Sequence, residues 1–185
     1  MKSPDEATLA ARASWTNRGT ARPEFAIEPE HGQRSVWDFP RPPALQPTEH
    51  VIEVSLGGVV IAHSEAALEL LETSHPPTYY VPRADVEMSY LAVAGGGGSH
   101  CEWKGKARYF DVIVGDTCLP RVAWSYEAPY EEQTALAGHI AFYAHDLACF
   151  VDGERATPQA GGFYGGWITS HVAGPFKGES GSSGW

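Results

Sequence analysis

The sequence of 185 residues lacks the features of several common protein classes. It has no apolar run approaching the roughly 18 residues that a membrane-spanning helix needs. Basic residues are few, 13 against 23 acidic ones, and the formal net charge of −10 repels nucleic acids and anionic membrane surfaces. Residues 1–12 contain no apolar segment of the kind that a secretory signal requires. We therefore expect a cytoplasmic protein with neither a nucleic-acid nor a membrane partner.

Cysteine is also scarce, since only Cys101, Cys118 and Cys149 occur and no Cys-x-x-Cys pair is present. An odd number at wide spacing indicates neither a disulfide framework nor a zinc ribbon, and it agrees with a reducing compartment. His145 and Cys149 have a spacing that one metal ion can use, but structural zinc sites use two such pairs. We predict no metal, no other cofactor and no disulfide. A zinc site made of His100, Cys118, His145 and Cys149 is the open alternative.

What the chain does contain is typical of a β-rich domain. Glycine and proline are frequent, at 20 and 14 residues, and aromatic residues make up 11% of the chain. Such a composition favours many turns and short strands. The predicted fold is mostly β, either a single antiparallel β-barrel or a tent-like double sheet, with one or two short helices.

Individual elements follow from apolar alternation and from turn residues. Apolar runs on either side of Gly57-Gly58 predict a hairpin from Val51 to Ala62, and Asp152-Gly153 predicts another. Further strands are predicted over Thr78–Val81, Glu87–Ala94, Ala107–Val114 and Cys118–Tyr126, while His139–Tyr143 suits a strand or a helix. Short helices are predicted over Glu65–Glu72, after a Ser64 cap, and over Glu131–Ala137.

Composition divides the chain into four parts. Residues 1–34 are polar and predict a loosely ordered arm, and residues 35–49 form a Pro-rich strap. Residues 50–155 are the predicted core domain, and residues 156–185 are a Gly- and aromatic-rich extension packed on it. The strap is expected to pack Trp37 and Phe39 onto the domain, with a polyproline ligand for a partner as the alternative.

A local cluster of positive charge stands out in this acidic chain. Lys104, Lys106 and Arg108 fall within five residues, and in a cleft such cations bind a carboxylate or a phosphate. The alternative is that these cations lie at the tip of a hairpin and are exposed to solvent. Strand alternation places Arg108 and Tyr109 on opposite faces, so that one of them points inward.

Aromatic side chains with polar tips recur along the predicted strands. Such groups line ligand pockets in β-rich domains, although they also build ordinary aromatic cores. The predicted ligand-binding residues are Tyr79, His100, Trp103, Lys104, Arg108, Tyr109, Trp124, Tyr126, His139 and Tyr143. Cys101 and Lys104 are the candidate catalytic residues, because cations near a thiol favour the nucleophilic thiolate.

Several of these segments together resemble a known family. Residues 50–155 resemble domain-of-unknown-function family 427, sometimes labelled nucleotidyltransferase-like, of the β-tent-like group. The resemblance rests on Gly57–Ala62, Leu71–Tyr80, Cys101–Tyr109, Ala123–Tyr126 and Ala137–Tyr143, and Gly162–Thr169 looks like an extension found in some members. It implies a β-rich barrel or tent-like sheet. The two Cys-x-x-Cys pairs of zinc-bound relatives and the paired carboxylates that a nucleotidyltransferase needs for Mg²⁺ are absent here.

Two functional hypotheses result from the sequence. In the first, the domain binds or transforms a small polar or anionic molecule in an aromatic-lined pocket, and the sequence does not choose between binding and catalysis. In the second, the domain is a non-enzymatic interaction module. Its strap and its extension, Phe163–Trp185, would then lie across a second copy in a homodimer or another homo-oligomer.

Overall fold

Two antiparallel sheets pack face to face in the computed structural model, which describes residues 3–185. Across the seven-stranded sheet the strands are β2 (Ala44–Pro47), β5 (Leu68–Leu71), β6 (Thr78–Pro82), β12 (His139–Phe142), β11 (Thr117–Ser125), β10 (Arg108–Val114) and β7 (Leu91–Val93). Across the four-stranded sheet they are β14 (Glu154–Arg155), β13 (Ala148–Val151), β3 (Ile52–Leu56) and β4 (Val59–Ser64). The arrangement is the tent-like double sheet that the sequence predicts. The barrel alternative is wrong, because neither sheet closes on itself in the described chain. The described residues contain no helix of a length and hydrophobicity suited to crossing a membrane.

Most of the elements are short. Two-residue strands form the pairs β1 (Arg34–Ser35) with β17 (Val172–Ala173), β8 (His100–Cys101) with β9 (Gly105–Lys106), and β15 (Thr157–Pro158) with β16 (Trp167–Ile168). The helical segments are α1 (Glu6–Ala13) and the 3₁₀ segments Val36–Asp38, Arg83–Asp85, Met88–Tyr90 and Glu131–Leu136.

The hairpins that turn residues predict are confirmed. β3 and β4 pair on either side of Gly57-Gly58, where both glycines have positive φ of 60° and 84°. This backbone conformation is the one that a two-residue hairpin turn with right-handed strand twist requires. β13 and β14 likewise pair around Asp152-Gly153. The strands predicted near residues 78–81, 107–114, 118–126 and 139–143 are present as β6, β10, β11 and β12, and a 3₁₀ segment lies within the predicted helix Glu131–Ala137.

Two predicted elements are wrong. The segment predicted as a helix over Glu65–Glu72 contains strand β5, which pairs with β2 and β6. A short apolar run has no reliable period, so the two neighbouring strands decide its conformation. The strand predicted over Glu87–Ala94 begins instead with the 3₁₀ segment Met88–Tyr90, and only β7 at its end joins the sheet.

The N-terminal arm contains the helix α1, although its sequence shows no apolar period. Asp5 caps α1 by accepting a hydrogen bond of 2.9 Å from the Thr8 amide. The Arg12 guanidinium at the other end donates to the Glu102 carbonyl at 2.7 Å, and it lies over the Trp103 ring. A mostly exposed, alanine-rich helix is thus held by its cap and by one long cationic side chain, which periodicity does not reveal.

The strap and the extension pack against each other within one chain. Trp37 is fully buried, and its indole N–H donates to the Pro175 carbonyl at 3.1 Å. The Phe25 and Trp185 rings lie 5.1 and 5.3 Å from the Trp37 ring. Trp167 enters the core between the sheets and donates to the Phe142 carbonyl at 2.9 Å. Strap, arm and extension therefore form one continuous layer on the two sheets.

Alternation along the seven-stranded sheet separates its core face from an outer face. Side chains at Tyr79, Val81, Phe110, Ile140 and Phe142 point into the core shared with the four-stranded sheet. Their neighbours at Tyr80, Tyr109, Trp124 and Ala141 form a second cluster on the other face. Because successive residues of a strand point to opposite faces, one set of strands builds both the core and the wall of a cavity.

Candidate functional site

A cavity of about 270 Å³ opens on the outer face of the seven-stranded sheet. The sheet forms its base, the hairpin of β8 and β9 forms one side, and residues of the extension form the other. The arm contributes Trp15. The lining includes Leu70, Glu72, His75, Tyr80, Cys101, Trp103, Lys104, Tyr109, Trp124, Tyr126, Tyr143, Gln159, Tyr164 and Lys177.

Opposite charges meet at the base of the cavity. Glu72 follows β5, and its carboxylate lies 3.3 Å from Nε of Arg41, whose side chain is completely buried. Burial opposes the charge of Glu72, but His75, Lys104 and Arg41 nearby keep the pKa of this carboxyl below its ordinary value. Glu72 is therefore ionised at neutral pH.

Lys104 supplies a second fixed charge from the tip of the β8–β9 hairpin. Burial disfavours its ammonium form, but Cys101, Tyr80 and Glu72 raise the pKa of Lys104 above its ordinary value. Its Nζ lies 6.0 Å from the centre of the Tyr126 ring. Lys104 is thus a cation held against an aromatic wall and beside a thiol.

His75 is a neutral group at the same base. Burial lowers the pKa of His75 from 6.5 to about 4, and the cations Arg41 and Lys104 act in the same direction. Its Nδ1 lies 2.9 Å from Nε2 of Gln159, a side chain that is almost fully buried. The site therefore places a neutral imidazole beside an ionised carboxylate.

Aromatic rings make up the walls. Tyr109 and Trp124 are cross-strand partners on β10 and β11, and the Tyr143 ring lies 4.4 Å from the Trp124 ring. The Tyr80 ring lies 6.4 Å from both Trp124 and Tyr126. Burial raises the pKa of Tyr80 to about 12 and also raises the pKa of Tyr126. These hydroxyls consequently stay protonated and are able to donate hydrogen bonds.

Trp15 covers the cavity from the arm. Its ring lies 4.4 Å from the Arg41 guanidinium and 4.1 Å from the Lys177 ammonium, which are cation–π distances. Its indole N–H donates to the Glu102 side chain at 3.0 Å. Lys177 reaches this place because the main-chain oxygens of Ser183 and Trp185 accept its hydrogen bonds.

Most of the sequence-predicted residues meet at this cavity. The structure brings together His100, Cys101, Trp103, Lys104, Tyr109, Trp124, Tyr126 and Tyr143. Strand alternation predicts that Arg108 and Tyr109 point to opposite faces. In the structure Tyr109 points inward and Arg108 points outward. Arg108 and Lys106 are exposed and line a separate groove of about 490 Å³ beside the glycine loop 96–98.

Two other predicted residues lie elsewhere. Tyr79 points into the core, where its ring is 5.3 Å from Trp167, because its neighbour Tyr80 takes the cavity face of β6. His139 lies at the start of β12 outside the cavity, with Nδ1 3.3 Å from the Ala137 carbonyl. Tyr79 and His139 are therefore removed from the candidate site.

Sequence reasoning missed Glu72, His75, Tyr80, Trp15, Gln159 and Lys177. Alternation along β6 carries the signal for Tyr80, since Tyr79 and Tyr80 must face opposite sides. Glu72 was missed because residues 65–72 were predicted as a helix, whereas they contain a strand of the sheet that forms the base of the cavity. Trp15, Gln159 and Lys177 are far from the sheets in sequence, so only the tertiary fold brings them to the cavity.

The four residues of the alternative zinc site are not gathered in the structure. Cys118 is exposed on β11, Cys149 is buried in the core, and Cys101 is half-buried at the cavity, all three as free thiols. Across residues 3–185, the group of metal-ligating side chains within reach of one ion is His50, Asp152 and His171. None of these three lines the cavity.

Comparison with protein families gives one match. A family model described as "Domain of unknown function (DUF427)" matches residues 44–156, which is more than half of the chain. No curated protein matches the sequence. The matched range includes the sheets and the β8–β9 hairpin, whereas Trp15, Gln159 and Lys177 lie outside it. The cavity is therefore assembled from the family domain and from flanking segments.

Proposed function

This chain belongs to the family described as Domain of unknown function (DUF427), and we propose that it binds or transforms a small anionic molecule with a flat, apolar part. The observation that carries the proposal is the pairing of fixed cations with aromatic walls in one cavity. Lys104 and Lys177 line it, and Arg41 lies beneath Glu72 at its base. In a chain with a net charge of −10, these cations favour an anion at this place.

The cations are only partly neutralised by the protein. Arg41 is paired with Glu72, and Lys177 donates to the main-chain oxygens of Ser183 and Trp185. No ion pair of Lys104 with a side-chain carboxylate is found in residues 3–185. Glu102, the other acid on the lining, accepts the indole N–H of Trp15. A ligand carboxylate or phosphate beside Lys104 would complete this charge distribution.

A buried donor also supports a ligand with acceptor atoms. The indole nitrogen of Trp103 is buried without a hydrogen-bond partner in the described chain, and Trp103 is one of the residues that line the cavity. Leaving a buried N–H unpaired costs about 1–3 kcal/mol, so an acceptor that meets it stabilises the complex. The flat walls of Trp124, Tyr126 and Tyr143 favour a planar group next to that acceptor.

The homo-oligomer hypothesis has less support. Trp37 and Trp185, which were expected to contact a second copy, contact each other within one chain. Phe163 is an exception, with 61% of its surface exposed, but it lies at the mouth of the cavity. The geometry therefore favours a ligand pocket over an assembly surface.

A thermal-shift screen tests the proposal. Aromatic carboxylates and phosphates are compared with their neutral amide and alcohol analogues, and hits are titrated by calorimetry. Binding to the folded state at about 100 times Kd stabilises it by about 2.7 kcal/mol. We expect anionic compounds to raise Tm, and Lys104→Met to abolish the shift while remaining folded by circular dichroism.

Lys106→Met is the matched control, because Lys106 is exposed on the same hairpin and lies outside the cavity. It removes the same charge from the chain and should keep the thermal shift. Equal binding of neutral analogues, or equal loss of binding in both lysine variants, would refute an anion site at Lys104.

A further inference from the structure

Three metal-ligating side chains from separate segments meet outside the cavity. His50 precedes β3, Asp152 lies in the turn between β13 and β14, and His171 precedes β17. One ligand atom from each lies within 4.8 Å of those of the other two. Nδ1 of His50 is 2.6 Å from a carboxylate oxygen of Asp152, and the imidazole rings of His50 and His171 stack at 4.6 Å.

Hydrogen bonds hold the Asp152 carboxylate and the backbone at His171 in place. The Val51 amide donates to one Asp152 carboxylate oxygen at 2.8 Å, which leaves the other oxygen to His50. The Asp152 amide in turn donates to the Val51 carbonyl at 2.9 Å. The His171 carbonyl accepts the Arg34 amide at 2.9 Å, next to the β1–β17 pairing. Ligands fixed by such outer contacts lose little conformational entropy when an ion binds.

Two further carboxylates lie close to the cluster. Glu154, two residues after Asp152, accepts the Ser170 amide at 2.7 Å and so lies beside His171. Glu69 lies near His50, but Arg34 pairs with it in a bidentate contact. Each imidazole has a ring nitrogen that is able to bind a metal ion.

We propose that His50, Asp152 and His171 bind one divalent transition-metal ion, with zinc as the ion of best chemical fit. Two imidazoles and one carboxylate form a borderline nitrogen and oxygen donor set, which suits Zn²⁺ and its neighbours rather than Ca²⁺ or Mg²⁺. Three protein ligands leave the fourth tetrahedral position to water. The site shares no residue with the cavity, so its existence does not depend on the proposed function.

Zinc titration of tag-free, chelator-treated protein tests the site. Calorimetry should show one zinc ion per chain, and the cobalt-loaded protein should show the visible absorption of a four-coordinate ion. His171→Ala leaves the contact between His50 and Asp152 intact, so it separates a metal site from a simple ion pair. We expect this variant to weaken zinc binding by more than about tenfold.

Asp152→Asn is the second variant, since asparagine tolerates the positive φ of 51° at this position. It should weaken binding in the same way without loss of folding. His139→Ala and Cys118→Ser are controls, because both residues are surface groups outside the cluster, and both should bind zinc as the wild type does. The proposal is overturned by absence of stoichiometric binding at micromolar zinc, or by binding that survives both site variants.

Discussion

The side-chain amide of Gln159 fixes the protonation state of His75. The Gly166 amide donates to Oε1 of Gln159 at 3.1 Å, and Nε2 donates to the Lys177 carbonyl at 2.8 Å. These two bonds set the orientation of the amide, so its remaining N–H donates to Nδ1 of His75 at 2.9 Å. Nδ1 must then accept, and a protonated imidazole would lose this bond.

The first prediction is that His75 makes stability fall with acid. Burial lowers its pKa from 6.5 to about 4. Between these pH values His75 therefore binds a proton in the unfolded chain but not in the folded chain. The stability that neutral His75 provides is complete above about pH 6.5 and declines as the pH falls toward about 4. Urea unfolding at about pH 7 and about pH 5 should show a clear decrease in the free energy of unfolding.

His75→Asn isolates this effect, because its amide oxygen replaces Nδ1 as the acceptor and does not titrate. The variant should lose less stability than the wild type over the same pH interval. His139→Asn, at a histidine outside the cavity, should retain the full decrease. Parallel pH profiles for the wild type and His75→Asn would contradict the assignment.

The second prediction concerns the contact between Gly165 and Trp124. A Cβ on Gly165 would lie 2.1 Å from the Trp124 ring, so the extension can approach the cavity wall this closely only because residue 165 is a glycine. Gly165→Ala should destabilise the fold by about 1–3 kcal/mol and weaken binding of any cavity ligand. Gly97→Ala, where a Cβ meets no atom within 4 Å, should change stability by less than about 0.5 kcal/mol. Equal unfolding free energies for the two variants would show that the extension moves away from Trp124 at little cost in stability.

The third prediction ranks the thiols by reactivity. Cys118 is exposed and should react first with an alkylating reagent, whereas Cys149 is buried in the core. Burial also raises the pKa of the Cys149 thiol, so it should react only after unfolding. Cys101 is half-buried and should react in the folded protein more slowly than Cys118. Mass spectrometry of labelled peptides measures all three rates, and a Cys149 that reacts as fast as Cys118 in the folded protein would contradict this ranking.

The fourth prediction is that Trp15 holds the arm over the cavity. Its ring contacts the cations of Arg41 and Lys177, so Trp15→Ala removes two cation–π interactions of about 0.5–2 kcal/mol each. Limited proteolysis should then cut the region 14–33 faster than in the wild type, and a cavity ligand should dissociate faster. Leu9→Ala changes an exposed side chain on the same arm and should leave both rates unchanged. Equal cleavage rates in both variants would mean that other contacts retain the arm.

Local pattern was sufficient for much of the fold. The Gly57-Gly58 and Asp152-Gly153 turns mark their hairpins because positive φ is needed there and few residues supply it. Alternation placed Tyr109 and Arg108 on opposite faces before the structure showed which one is inward. The positive cluster, which is rare in so acidic a chain, indicates Lys104 and Cys101, and the pattern of aromatic residues with polar tips indicates Trp103.

The sequence by itself therefore determined a mostly β domain, its principal hairpins and one side of the candidate site, since these depend on residues close together along the chain. Tertiary structure decided which of Tyr79 and Tyr80 meets the cavity, because that depends on the sheet packed against β6. It also decided that Trp15 and Lys177 cover the base at Glu72, and that His50 meets His171. Contacts between residues far apart in the sequence leave no local pattern. They come from the packing of whole segments and not from the hydrophobic period of any one segment.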